Sequence, residues 1–244
     1  MLWLVALASA EVPLSTISDP TNPLVAAVAE GVHDTPVSTA VRLLLTLTAL
    51  SFLPGMLLVM TPFVRFVVVL SMLRQALGMN QSPPNQVIVG LSLFLSLLVM
   101  EPSLTIAYHQ GMQPFLEGTT STTEAWTQTI APLRDFMMAN TRKADMMTML
   151  QISNLPRPDS LEQLSTALVT SAFVLSELKT AMVISVYVFV PFLVIDLVTS
   201  SVLMGLGMMM LPPTTISLPF KLMVFVLTDG WGLLVKDMVQ GIAR

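Results

Sequence analysis

Apolar residues run along this chain in two long blocks with one polar block between them. The first, Val41 to Tyr108, is split by Gly78-Met-Asn-Gln-Ser-Pro-Pro-Asn85. The second is entered through Ala167 to Lys179 and is interrupted by Val202 to Thr215. Gly, Asn and paired Pro mark turns, so each block predicts a helical hairpin with a Pro-Pro tip. Gly78, Pro83 and Pro84 form the first tip; Gly205, Gly207, Pro212 and Pro213 form the second. The glycines of the second tip can take the φ > 0 conformations that end a helix, and Pro212-Pro213 forbids its continuation. That tip presents Met208, Met209 and Met210, three unbranched and adaptable side chains that can pack against a surface of changing shape or simply fill apolar space. The polar block predicts a small helical domain. Within it Leu133, Phe136, Met137 and Asn140, then Met146, Met147, Met149 and Leu150, fall at helical spacing with a polar opposite face. Phe136, Met137, Met146 and Met149 are read either as the core of that domain or as a methionine-lined contact between identical subunits.

As membrane spans the arms are unusual. A crossing helix needs about 20 apolar residues, yet Val87 to Met100 ends early, at Glu101-Pro102, and the run from Ala181 to Leu211 is too long for one straight span. The first arm is expected to break at Pro54-Gly55 and at Pro62, and it carries Arg65. Breaks and charges at such depth are tolerated where a helix packs in protein rather than against lipid. Hairpins buried mainly against other chains, or four ordinary spans with functional kinks, both fit.

Charges in apolar sequence need partners, because an unpaired one is expensive there. The candidates are Arg65, Glu177, Lys179, Asp196, Lys221 and Asp229. With the second hairpin turning near Met208-Met209, Asp196 and Lys221 lie about equally far from the tip, roughly 18 Å along each arm at 1.5 Å per residue. They could therefore pair within one chain; the alternative is that these charges reach solvent or headgroups. A Lys221–Glu177 pair would require a kink at Pro191 or a neighbouring copy.

Composition agrees with the pattern. Of 244 residues, 54% are hydrophobic and 11% charged, with mean hydropathy +0.78, against about 25% charge in soluble domains. The net charge of −4 argues against nucleic acid, which calls for a basic footprint. There is no cysteine, so thiolate metal sites and disulfides are excluded. His33 and His109 have no ligand spacing, and no phosphate loop or nucleophile elbow is present. No enzyme, metal or cofactor is expected. At the N-terminus, the apolar run Leu2 to Ala8 and Ala8-Ser9-Ala10 resemble the end of a signal peptide. Cleavage there would place residues 11–40 and the polar block outside the cytoplasm, with both Pro-Pro tips toward it. The expected divisions are residues 1–10 (signal), 11–40 (polar segment), 41–109 (first hairpin), 110–166 (exterior domain) and 167–244 (second hairpin).

Particular motifs add a resemblance. Thr61-Pro-Phe-Val-Arg65, Leu73-Arg-Gln-Ala-Leu-Gly78, Pro83-Pro-Asn-Gln-Val-Ile-Val-Gly-Leu91, Ala172-Phe-Val-Leu-Ser-Glu-Leu-Lys179, Ile195-Asp-Leu197, Val202 to Leu211, Ile216-Ser-Leu-Pro-Phe-Lys-Leu222 and Asp229-Gly-Trp231 resemble the FliP family of flagellar type III export-gate subunits. Related virulence secretion subunits share much of the pattern. The resemblance implies an all-α, membrane-associated chain whose copies assemble with FliQ and FliR into a helical channel in the basal body at the inner membrane. An FlhB-type export switch protein and a basal-body ring are the further implied partners, and unfolded rod, hook and filament subunits the cargo. It also implies that Met208, Met209 and Met210 form a gasket around the closed pore. A small-solute channel or carrier with kinked helices and midplane charges is the competing reading from the residues alone.

Overall fold

The computed structural model describes residues 36–79, 82–153, 164–208 and 211–242. The signal-like residues 1–10, most of the polar segment that follows, and Met209 and Met210 lie outside the described residues. All regular structure among those described is helical: α1 (Pro36–Val59), α2 (Phe63–Ala76), α3 (Asn85–Ala107), a π-helical turn (Tyr108–Met112), α4 (Gln113–Leu116), α5 (Thr122–Asn140), α6 (Lys143–Ile152), α7 (Thr166–Gly205), α8 (Pro213–Leu227) and α9 (Gly230–Val239). The chain divides into two compact units, Met1–Pro54 and Gly55–Arg244.

The first unit carries most of α1. The hydroxyls of Thr46, Thr48 and Ser51 each donate to a carbonyl four residues back, which removes the need for water on an apolar helix. The break expected at Pro54-Gly55 is absent, since α1 runs through it to Val59 and the chain turns at Met60 to Pro62 instead.

The second unit is built around α2 and α7, which pack along each other, with α3, α5 and α6 completing the core. Phe66, Val69, Leu70 and Leu73 of α2 meet Val169, Ala172 and Phe173 of α7 in one cluster that also takes Met100 of α3. Glu101-Pro102 does not end α3. Proline costs one backbone bond and a clash with the carbonyl of Leu98, a penalty that a long helix supported by neighbours absorbs. The helix continues through the π turn to Leu116, so that 32 residues from Asn85 form one apolar rod. α5 crosses this rod where Gly111 sits, and a Cβ there would lie 2.1 Å from Thr129 Oγ1. Only glycine permits that approach.

Phe136, Met137 and Met146 are buried in the chain's own core, with Phe136 edge-on to Phe173 at 6.0 Å, and Met149 packs at its margin. Of the two readings of these residues, burial of Phe136, Met137 and Met146 within one chain supports core packing, while Met149 keeps part of its surface open. The apolar stripe of α5 and α6 meets α3 and α7 rather than forming a core of its own.

Among the described residues, two helices can by length and apolarity cross a membrane, Asn85–Leu116 and Thr166–Gly205, or three if α8 and α9, bent by 67° at their junction, are one broken span. α7 has 40 residues and is thus about 60 Å long, twice the roughly 30 Å hydrocarbon core. Its first half is packed in the core. From Val186 onward only Phe192 and Leu203 are buried.

Candidate functional site

Charged side chains gather on α7 at two levels, and each acid there holds a cation that also caps another helix. Asp196 is one level. Its Oδ2 accepts from Lys221 Nζ of α8 at 2.6 Å, and its Oδ1 accepts from Ser217 Oγ at 2.6 Å. Lys221 Nζ also donates to the carbonyl of Ala76, 2.9 Å away, in the last turn of α2. The last carbonyls of a helix have no intrahelical partner and carry the negative end of its dipole, so a buried ammonium there is doubly favoured. Asp196 and Lys221, equidistant from the tip, are therefore brought together in one chain. Lys221 is 2% exposed.

Glu177 is the other level. Arg65 of α2 donates through Nε to Glu177 Oε2 at 2.7 Å and through Nη2 to Oε1, the forked geometry in which guanidinium and carboxylate match. The third contact, Nη1 to the carbonyl of Met238 at 3.1 Å, caps α9. Both groups are buried. The alternative Lys221–Glu177 pair is absent, as each residue has another partner.

Lys179 lies on the exposed side of α7 and pairs with Asp145 of α6, whose carboxylate is almost wholly enclosed. Next to it Arg142 bonds Ser176 Oγ through its backbone N–H at 3.2 Å and Thr180 Oγ1 through its guanidinium at 3.0 Å. Asp145 and Ser217 were not singled out in the sequence, yet the spacing held a signal. Ser217 is one helical turn before Lys221, and Asp145, Met146, Met149 and Leu150 share one helical face. Asp229 is not a buried ion-pair member. It is exposed and sits at φ +50 at the corner between α8 and α9.

The two turns end alike. Met79 N–H reaches the carbonyl of Arg74 and Gly78 N–H that of Gln75; Met208 N–H reaches Leu203 and Gly207 N–H reaches Met204. Both are Schellman motifs with glycine in the left-handed conformation, Gly78 at φ +80 and Gly207 at φ +74. Gly205 is helical rather than left-handed, because the motif needs one such residue and Gly207 supplies it. Pro84 caps α3, Pro83 offers its carbonyl to Arg74 Nη1, and Pro212 precedes Pro213 at the first position of α8, where a missing N–H costs nothing. Gly78 lies against Leu218 of α8, which puts the turn after α2 beside the start of α8. Met208 stands half-exposed at the second turn. Beside it an apolar groove between α7 and α8 is lined by Val198, Val202, Leu206, Ile216 and Phe220.

A helical core with apolar rods long enough for a bilayer, cross-tied by buried ion pairs that cap helix ends, is the architecture of a helical membrane protein. The FliP family model matches residues 46–238. Three proteins described as flagellar biosynthetic protein FliP are similar over most of the chain. That of Bacillus subtilis is 45% identical over 204 residues, 84% of this chain and 92% of its own length. That of Pectobacterium carotovorum is 49% identical over 201 residues, 82% of this chain and 78% of its own. The Caulobacter vibrioides protein is 41% identical, covering 84% and 77%. The chain belongs to the FliP family.

Proposed function

We propose that this chain is a subunit of a flagellar type III protein export gate at the bacterial inner membrane. Copies of it assemble with FliQ and FliR around an axis, and unfolded rod, hook and filament proteins pass through the resulting channel. The observation that carries this reading is the second half of α7 with α8. Val186, Tyr187, Val190, Leu193, Leu197 and Val198 leave large apolar surface uncovered on a single chain, while Asp196 and Lys221 are satisfied internally. A pair of helices with its charges neutralised inside and its apolar faces open is suited to be covered by neighbours.

Met208, Met209 and Met210 close the channel in this reading. Their thioethers have three rotatable bonds and no strong hydrogen-bonding group, so several copies can seal a passage, yield to an unfolded chain and seal again. The polar block faces the periplasm and both tips face the cytoplasm. The FlhB-type switch protein and basal-body ring are its neighbours.

A photoreactive residue at Met209 tests this directly. With an export substrate stalled by a fused folded domain, crosslinks between position 209 and the substrate are expected. Crosslinks to lipid alone, with the stalled substrate present, would contradict the gasket and the channel together.

A further inference from the structure

We propose that α9 is a latched strap, held onto the core by the Arg65 guanidinium and able to leave it while α2 and α7 stay packed. With ten residues α9 is shorter than the roughly 12–15 at which an isolated helix becomes marginal in water, so its helicity depends on docking. Leu234 and Met238 are buried in the core and Val235 and Val239 pack at its margin, while Leu233, Lys236 and Asp237 are exposed.

The corner that aims it is built from residues with little choice. Asp229 is left-handed at φ +50, a conformation that costs a non-glycine residue free energy. A Cβ on Gly230 would lie 2.2 Å from the Phe225 ring, and one on Gly232 would lie 2.4 Å from Asp229 Oδ2. Trp231 meets the other side of this corner, edge-on to Phe225 at 5.4 Å. The chain is thereby bent by 67° relative to α8, and α9 is directed back to α2 and α7 rather than onward.

The latch is the division of labour within one guanidinium. Nε and Nη2 are committed to Glu177, and only Nη1 reaches α9, at the carbonyl of Met238. Departure of α9 therefore leaves the Arg65–Glu177 pair intact and strands no buried charge, which is the costly event in breaking such pairs. The strap opens with the loss of that one hydrogen bond and of the packing of Leu234 and Met238, with the partly buried Val235 and Val239 and with Ile242 just beyond the helix, uncovering the apolar surface beneath them.

The absence of native cysteine makes the test clean. In the full-length protein in membranes, maleimide labelling is followed at Leu234→Cys in α9 and, separately, at Val169→Cys in α7. Each is placed in the parent and in an Arg65→Met/Glu177→Met background, which removes the pair without leaving a lone charge. A labelling rate at position 234 at least tenfold higher in the double variant, with position 169 still protected, is expected. Protection at both positions would overturn the latch, and reactivity at both would make the pair a support of the whole core. Hydrogen exchange of the unsubstituted protein gives an independent check. Amides of α9 are expected to exchange at least tenfold faster than those of Val69 and Val169, whereas equal rates would mean that α9 opens only with the core.

Discussion

Replacing Lys221 with methionine isolates the best-defined polar contact in the second half of α7. The substitution keeps most of the side-chain length and removes two contacts, to Asp196 Oδ2 and to the carbonyl of Ala76. Removing one partner of a fully buried ion pair costs about 3–5 kcal/mol. Asp196 is not fully buried, with 31% of its side chain exposed, and it keeps the hydroxyl of Ser217. The expected loss is therefore smaller, about 2–3 kcal/mol, with part of it from the uncapped α2 carbonyl. At 1.4 kcal/mol per factor of ten this shifts the folding equilibrium roughly 30- to 150-fold. Detergent-denaturant titration of the purified full-length protein reads it, in a cycle with Asp196→Asn and the double variant. A coupling above about 1 kcal/mol is expected for groups in contact. Exchanging the two charges restores only part of the stability and secretion, because a carboxylate at position 221 would face the Ala76 carbonyl. A Lys221→Met loss below about 0.5 kcal/mol, or additive single effects, would refute this reasoning.

Three other outcomes follow from separate parts of the molecule. Gly111→Ala drives a methyl toward Thr129 Oγ1 and within 2.7 Å of the Thr129 backbone nitrogen, so α5 must shift; a loss of about 1–3 kcal/mol is expected in the same titration, and an unchanged midpoint would contradict the close crossing. Lys179→Met leaves the enclosed Asp145 carboxylate without its cation, and is expected to destabilise more than Lys179→Met combined with Asp145→Asn; the reverse order would remove the pair from the account of α6 docking. Replacing Met208, Met209 and Met210 together with Ala is expected to preserve assembly while raising ion conductance of the membrane, and an assembled triple variant with unchanged permeability would reduce the tip to ordinary packing.

Local chemistry in the sequence carried further than long-range pairing. Gly78, Gly207 and Pro213 announce turns because each has a backbone preference that needs no tertiary context. Asp196 and Lys221 were legible as a pair because two arms leaving one turn keep register by rise per residue. Arg65 and Glu177 were legible only as charges needing partners. They are 112 positions apart, and periodicity says nothing about which helix lies against which. Pro102 misled for a related reason, since intrinsic propensity treats proline as a break whereas a packed helix continues through it; nothing in the structure explains why α1 continues through Pro54, where the helix is exposed. Phe136, Met137 and Met146 showed the helical face correctly but not its occupant, which is α3 and α7 of the same chain.

The most direct test of the proposed function is the mass of the intact complex containing this chain, extracted in mild detergent from membranes of flagellated cells. Several copies of the 26.5 kDa chain together with two small hydrophobic subunits are expected. A single chain, or copies of it alone that bind and carry a small solute, would contradict an export-gate subunit.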